Sequence, residues 1–209
     1  MTTKIERVLL IRHGQTDWNM QRRWQGLEPT ALNEAGFEQA RALAAYLCHR
    51  SIRAVYSSDL PRALQTATVL AEALKLEPLV DVRWRELHVG VFQGLNAEEC
   101  EQRYPAELLK WRSDDHDFII PNGESRRALG ERALAAWQDV VAQPHGPQVA
   151  VVSHGGTIHR LLAALFGEGE HLRFHLTNTS ITTVEREGDG WRLAGRAETP
   201  HLLNGASGQ

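Results

Sequence analysis

Long hydrophobic runs are missing from this chain, and so are most of the residues that staple or metallate a protein. No stretch is apolar for long enough to span a bilayer, and the opening Met1 to Arg7 lacks the apolar core of a signal peptide. Only two cysteines occur, Cys48 and Cys100, outside any C-x-x-C and within helix-like segments. They are expected to be reduced, packed thiols, as in a cytoplasmic protein. Strong charge of either sign is also missing. The net charge is −3 and the isoelectric point is near 6.4, so no basic footprint for nucleic acid or an anionic membrane exists. Any attraction for an anion must therefore be local. The patterns G-x-x-x-x-G-K-[ST], G-x-S-x-G and H-E-x-x-H are absent, which removes a nucleotide P-loop, a serine-hydrolase elbow and a helical zinc site of that type. No repeat and no linker interrupts the 209 residues. One domain over residues 1–202 is expected, with residues 203–209, small and polar, as a disordered tail. No signal for oligomeric state is found.

What is present is a globular composition, 42% hydrophobic and 23% charged, arranged as alternating strand and helix signals. Val8 to Ile11 reads as a buried strand, followed by a helix from the Asn33 cap with Gly36, Ala40, Leu43, Ala44 and Leu47 inward. Ile52 to Ser57 reads as a strand. It leads to a helix capped by Ser58 or Asp59, with Pro61 in the first turn. Leu79 to Trp84 reads as a third strand. Short helices are expected over Ala97 to Arg103 and Ala106 to Trp111, then a loop through Ser113 to Asp117, a stretch suited to covering a cleft. A long helix follows Ser125. Val149 to Ser153 is the cleanest buried strand, and the next helix ends at Gly167. Ser180 to Glu187 and Trp191 to Glu198 form a hairpin. The predicted fold is α/β, a three-layer sandwich with a mostly parallel central sheet and helices on both faces.

Four polar clusters follow the four predicted strands: Arg12-His13-Gly14, Ser57 to Arg62, Arg85-Glu86, and Ser153-His154-Gly155. Ligands of open α/β sheets sit beyond the carboxyl ends of the strands. One pocket would then gather Arg12, His13, Arg62, Glu86 and His154. Gly14 would let backbone amides approach a ligand, while Thr16 and Asn19 add polar groups. Two arginines and two imidazoles form a cationic hollow whose expected ligand is a phosphoryl group, and the helix N-termini after Asp59 and Gly156 would add amide donors. His13, kept unprotonated by the neighbouring arginines, is the expected nucleophile. Arg12, Arg62, His154 and the Gly155 amide would balance the charge of the transferring oxygens. Glu86 would protonate the departing alcohol and later take a proton from water; an adjacent phosphate dianion favours its acid form. This chemistry needs no cofactor and no metal. His171 and His175, at helical i, i+4 spacing, or Asp114, Asp115, His116 and Asp117, offer metal-ligand types, but neither group has a defined ligand pattern. The expected partner is a small phosphorylated metabolite. Trp18, Trp24, Phe92 and Trp111 are candidates for an apolar entrance.

Taken in order, Leu10-Ile11-Arg12-His13-Gly14-Gln15-Thr16-Asp17-Trp18-Asn19, Arg23-Trp24-Gln25-Gly26, Ser57-Ser58-Asp59-Leu60-Pro61-Arg62-Ala63 and Val152-Ser153-His154-Gly155-Gly156 resemble the histidine phosphatase superfamily, in its phosphoglycerate-mutase-like branch. The resemblance runs from about Val8 to Ile181. It implies that His13 is the residue phosphorylated, that Arg12, Arg62 and His154 hold the phosphoryl group, and that Glu86 is the proton donor. It also implies that Gly14, Gln15, Thr16, Asn19, Arg23, Gln25, Gly26 and Gly155 bind the phosphate or substrate. The family contains mutases and phosphatases. Mutases usually follow the acidic residue with Arg-His-Tyr-Gly, whereas Glu86 is followed by Leu87-His88-Val89-Gly90. Mutases also carry paired arginines after a tryptophan, where Trp111-Arg112-Ser113 keeps one. The segment from Glu86 to His154 is short, and no long tail follows. His159 stands where an arginine is frequent. The resemblance thus implies a phosphatase acting on small phosphomonoesters through a phosphohistidine, with mutase-type transfer, or a phosphate-binding module without turnover, as alternatives.

Overall fold

A computed structural model describes residues 4–203. Of the expected tail at 203–209, residues 204–209 lie outside the described residues, while Leu203 is corrected to the end of the last helix. Six strands form one sheet: β1 (Arg7–Arg12), β2 (Ile52–Ser57), β3 (Pro78–Val80), β4 (Gln148–Ser153), β5 (Ile181–Glu187) and β6 (Gly190–Glu198). Their spatial order is β3-β2-β4-β1-β5-β6. The first four in that order run parallel, while β5 lies antiparallel to β1 and closes the hairpin with β6.

Strand periodicity sorts the core into two layers. Val8 and Leu10 of β1, with Val149 and Val151 of β4, face α6 (Arg126–Ala142) and α7 (Gly155–Phe166). Leu9 and Ile11, with Ala150 and Val152, face α2 (Glu34–Leu47) and α3 (Pro61–Leu74). Both central strands are thus buried on both faces, which explains their unbroken apolar runs. The three-layer α/β sandwich predicted from the sequence is the observed architecture. A third cluster, built on Leu87, Val89, Phe92, Cys100, Leu108, Ile120 and Leu129, packs α4 (Ala97–Arg103) and α5 (Pro105–Arg112) over one end of the sheet.

Local expectations are corrected in three places. Leu79 to Trp84 is not a buried strand. Only Pro78–Val80 pairs, at the sheet edge with Leu79 and Val80 exposed, and Val82–Trp84 forms a 3-10 turn. Neither Ser58 nor Asp59 caps α3. Leu60 holds that position without a side-chain bond, because Ser58 Oγ accepts from Leu60 N and Asp59 is drawn to Arg85. His171 lies in a 3-10 turn and His175 beyond it, so they share no α-helical face. Among the described residues, no three His, Cys, Asp or Glu side chains come together as a metal site.

Candidate active site

The parallel register of β1 and β4 pairs Arg12 with Ser153. The residue just past each strand end is a histidine, so both imidazoles leave the sheet at one height. Their ring centroids are 5.2 Å apart. His13 N donates to Ser153 O at 3.0 Å, and Asn178 Nδ2 donates to His13 O at 3.0 Å, which fixes the backbone at this point. The His13 Nδ1 lies 2.7 Å from Gly14 O. A carbonyl can only accept, so Nδ1 carries the hydrogen and Nε2 keeps its lone pair. Burial holds His13 well below the usual histidine value, and the charges of Arg62 and Arg12 add to that effect. Desolvation outweighs the arginines, whose charges alone were expected to keep this imidazole unprotonated. His154 is fully buried and lowered in the same way, first by burial and then by Arg62.

Arginines bring the positive charge. Arg12 Nη1 donates to Leu176 O at 2.5 Å. Arg62 enters from the first turn of α3, and its Nη1 donates to Glu28 O at 2.8 Å while Nη2 donates to Gly26 O at 2.8 Å. Gly26 has φ +51°, a left-handed conformation that glycine adopts without a Cβ penalty and that turns its carbonyl to Arg62. Burial lowers Arg62 to about 10 even with Glu86 nearby. With both forks anchored, Arg12 Nε and Arg62 Nε are buried without a partner, as are both ring nitrogens of His154. Buried donors left open in this way are costly unless a ligand meets them. Together they describe a seat for an oxyanion.

Glu86 stands at the N-terminus of α7. Its Oε2 accepts from Gly156 N at 3.1 Å, and its Oε1 from Thr157 N at 3.2 Å and Leu87 N at 2.9 Å. The expectation that this helix start donates to a phosphoryl group is thereby corrected: beyond the Gly155 N–H, its amides are taken by Glu86. Arg132, which sequence reasoning missed, ties the turn down by donating to Arg83 O, Arg85 O and Glu86 O and by pairing with Glu124. Its place seven residues after Ser125 on one helix carried no visible chemical signal.

A cavity of about 410 Å³ opens on this group and is lined by Arg12, His13, Asn19, Arg23, Gln25, Gly26, Arg62 and Glu86 among the residues singled out from sequence. His154 sits behind His13. Gly155 packs on Arg12, where a Cβ would lie 3.8 Å from Nε. Asn19 presents its Nδ2, since Oδ1 accepts from Thr16 N and Asn178. Arg23 is paired with Glu99 at 2.7 Å. Besides His154 and Gly155, three further expected site residues do not line the cavity. Gly14 N donates to Thr66 Oγ1, and its missing side chain makes room for Gly36 O, which a Cβ would meet at 2.6 Å. Gln15 bonds Gln39 and Asn33 at the start of α2. Thr16 caps α1 (Asp17–Met20), in a reciprocal box with Asn19.

Of the aromatic candidates, Trp24 and Trp111 line the cavity, with Leu87, Val89 and Leu129. Trp18 packs over Gly94, and Phe92 is core. Arg126 and Arg160 also line it and were not foreseen; His159 joins them at a position marked in the sequence only as unusual.

The sequence matches the histidine phosphatase superfamily (branch 1) over residues 8–199. The chain belongs to that superfamily. It is 34% identical over 206 residues to a probable phosphoglycerate mutase, GpmB, of Yersinia pestis (strain Pestoides F), covering 93% of this chain and 94% of the relative. Among solved structures, a mycobacterial glucosyl-3-phosphoglycerate phosphatase complexed with VO3 matches with a TM-score of 0.82 at 35% identity, over 92% of this chain and 98% of that one. A phosphoserine phosphatase of Entamoeba histolytica, in complex with 3-phosphoglyceric acid, matches with a TM-score of 0.84 at 27% identity, over 94% and 99%. Both hydrolytic and mutase names therefore occur among similar proteins of this superfamily. No helix among the described residues is long and apolar enough to cross a membrane.

Proposed function

We propose that this histidine phosphatase superfamily member hydrolyses small phosphomonoesters through a phosphohistidine at His13. The observation that carries the reading is the oriented imidazole, with Nδ1 bound to Gly14 O and Nε2 open, beside the unpartnered Nε atoms of Arg12 and Arg62 and the ring nitrogens of His154. Nε2 attacks phosphorus and forms the N–P bond as the P–O bond to the substrate alcohol breaks. The Glu86 carboxylic acid gives its proton to the leaving oxygen. Arg12, Arg62 and His154 carry the charge on the transferring oxygens, Arg62 and His154 from fully buried positions. Water then loses a proton to the Glu86 carboxylate and attacks phosphorus, and the N–P electron pair returns to Nε2 as phosphate departs. Every group in the cycle belongs to this chain, so turnover is expected to persist in excess chelator.

Hydrolysis is favoured over mutase-type transfer by the apolar wall at Leu87 and Val89. An intermediate handed back to a second hydroxyl is helped by polar side chains that hold the acceptor, and Leu87 and Val89 supply none at their positions. The names of the two phosphatase relatives support the same choice. Acid-sensitive phosphohistidine is sought by mixing the enzyme with p-nitrophenyl phosphate, quenching in alkali and mapping the phosphate by mass spectrometry. Label on His13, with turnover lowered at least about 10³-fold in His13→Ala, is expected. Near wild-type turnover in His13→Ala, or isomerisation of phosphoglycerate outpacing phosphate release, overturns the reading.

A further inference from the structure

The strand end that carries His13 is held from behind by a residue in an unfavourable backbone conformation. Among the described residues, five non-glycine positions have positive φ, and Thr179, at +57°, is the only β-branched one. A branched Cβ crowds the backbone in this left-handed region, so the conformation persists only where neighbouring groups hold it. Thr179 is fully buried. Its N–H turns to the end of β1, 3.0 Å from Arg12 O and 3.3 Å from His13 O. The flanking residues grip the same strand end. Asn178 Nδ2 donates to His13 O, and Arg12 N donates to Ser180 O at 3.2 Å. Along a regular strand, neighbouring residues turn their backbone groups to opposite edges. The left-handed turn is what lets Thr179 N–H and Ser180 O both face β1.

The group that holds Thr179 comes from a distant part of the chain. Helix α8 (Pro200–Leu203) brings the buried His201 against it, with Nε2 2.9 Å from Thr179 Oγ1. The same Oγ1 lies 2.8 Å from Asn178 O. A carbonyl only accepts, so the hydroxyl donates to Asn178 O and the His201 Nε2–H donates to the hydroxyl. The other ring nitrogen, Nδ1, is buried without a partner. The Tyr46 ring of α2 packs nearby, 6.2 Å away between centroids. His201 thus commits its one donor to a single hydroxyl and leaves a buried acceptor open to do so. An apolar side chain would fill that space without an unpaired polar atom.

We propose that His201 is a positioning residue for His13: its Nε2–H holds the Thr179 hydroxyl, and through it the left-handed turn whose amide fixes the Arg12 and His13 carbonyls. The His13 imidazole then keeps its height and Nε2 its line of attack. The inference rests on the phosphohistidine reading of His13. It adds a group that touches neither substrate nor the reacting atoms.

Substitutions that separate the hydrogen bond from the backbone strain test it. Val at position 179 keeps the branch and loses the hydroxyl, whereas Gly adopts positive φ unaided. Leu at position 201 fills the space without a donor, and Gln keeps an N–H at the same reach. Turnover of p-nitrophenyl phosphate and calorimetric binding of orthovanadate are measured well below each variant's melting temperature. His201→Leu and Thr179→Val are each expected to lower kcat/KM about 10- to 100-fold, the range of a slightly misplaced nucleophile, and to weaken vanadate. His201→Gln should stay within about threefold of wild type. In the Thr179→Gly background, His201→Leu should cost less than about twofold, because the turn no longer needs holding.

Wild-type kcat/KM in His201→Leu, an equal loss in His201→Gln, or an equal loss in the Thr179→Gly background overturns the proposal. Should His201→Leu not fold, wild-type kcat/KM in Thr179→Val overturns it instead. Vanadate binding needs no turnover, so the two readings part. Binding unchanged in His13→Ala sinks the phosphohistidine reading, and this one with it. Binding lost in His13→Ala but kept in His201→Leu sinks this one alone.

Discussion

The carboxylate of Glu86 rests on the α7 N-terminus, with Gly156 N 3.1 Å from its Oε2. The pair explains why Gly156 has no side chain: a Cβ there would lie 2.5 Å from Glu86 Oε1. It also separates the two tasks of the site. The oxyanion seat is built from side chains beside His13, and the helix start is occupied by Glu86, the proposed proton donor.

Glu86→Gln keeps hydrogen-bond acceptance by its amide oxygen but has no proton to give. For alkyl phosphates, whose leaving oxygen needs protonation, kcat/KM, which reads phosphoryl transfer to His13 and not the later attack of water, is expected to fall by about 10² to 10⁴. For p-nitrophenyl phosphate, whose leaving group departs as an anion, the fall should be much smaller. Equal losses on both substrates would mean that Glu86 only shapes the turn.

Stability should fall on acidification from about pH 6.5 downward. His13 and His154 lie well below 6.5 in the folded protein, and burial lowers His201 to about 4. Below 6.5 the unfolded chain therefore binds protons that the folded chain refuses. Stability is complete above that value and declines as pH drops toward 4. Thermal melts across pH 7.5 to 4.5 check the slope. His201 lies away from the cavity, bonded through Nε2 to Thr179 Oγ1 at 2.9 Å. Replacing it in His201→Gln should flatten part of the slope, and an unchanged slope would remove it from the account.

Gly14→Ala is expected to destabilise the protein by about 1–3 kcal/mol, the usual cost of overpacking. Gly36 O cannot retreat from a Cβ at 2.6 Å without shifting α2. Chemical denaturation measures the loss. A stability unchanged within error would show that the strand end and the helix start can part freely.

Sheet and helices were legible because buried strands and amphipathic helices write their period into the chain, and Ile52 to Ser57 and Ala97 to Arg103 fall within the bounds read from sequence. The Leu79 to Trp84 stretch was misread because an apolar run does not say whether another strand will cover it; Leu79 and Val80 end at an edge. Gly14 was misread for a related reason. A glycine beside a histidine looks the same whether the space it leaves is filled by a ligand or by Gly36 O.

The one-dimensional order of residues marked the candidates for the chemistry: Arg12, His13, Arg62, Glu86 and His154 each follow a strand-like or turn signal, and local pattern suffices to mark such points. Tertiary structure alone decided what those groups do to one another. Which His13 nitrogen is free, which helix amides Glu86 occupies, and that Arg126 and Arg160 share a wall all depend on distances between residues far apart in the chain. Coulomb forces and desolvation act through space, and periodicity along a sequence holds no record of them.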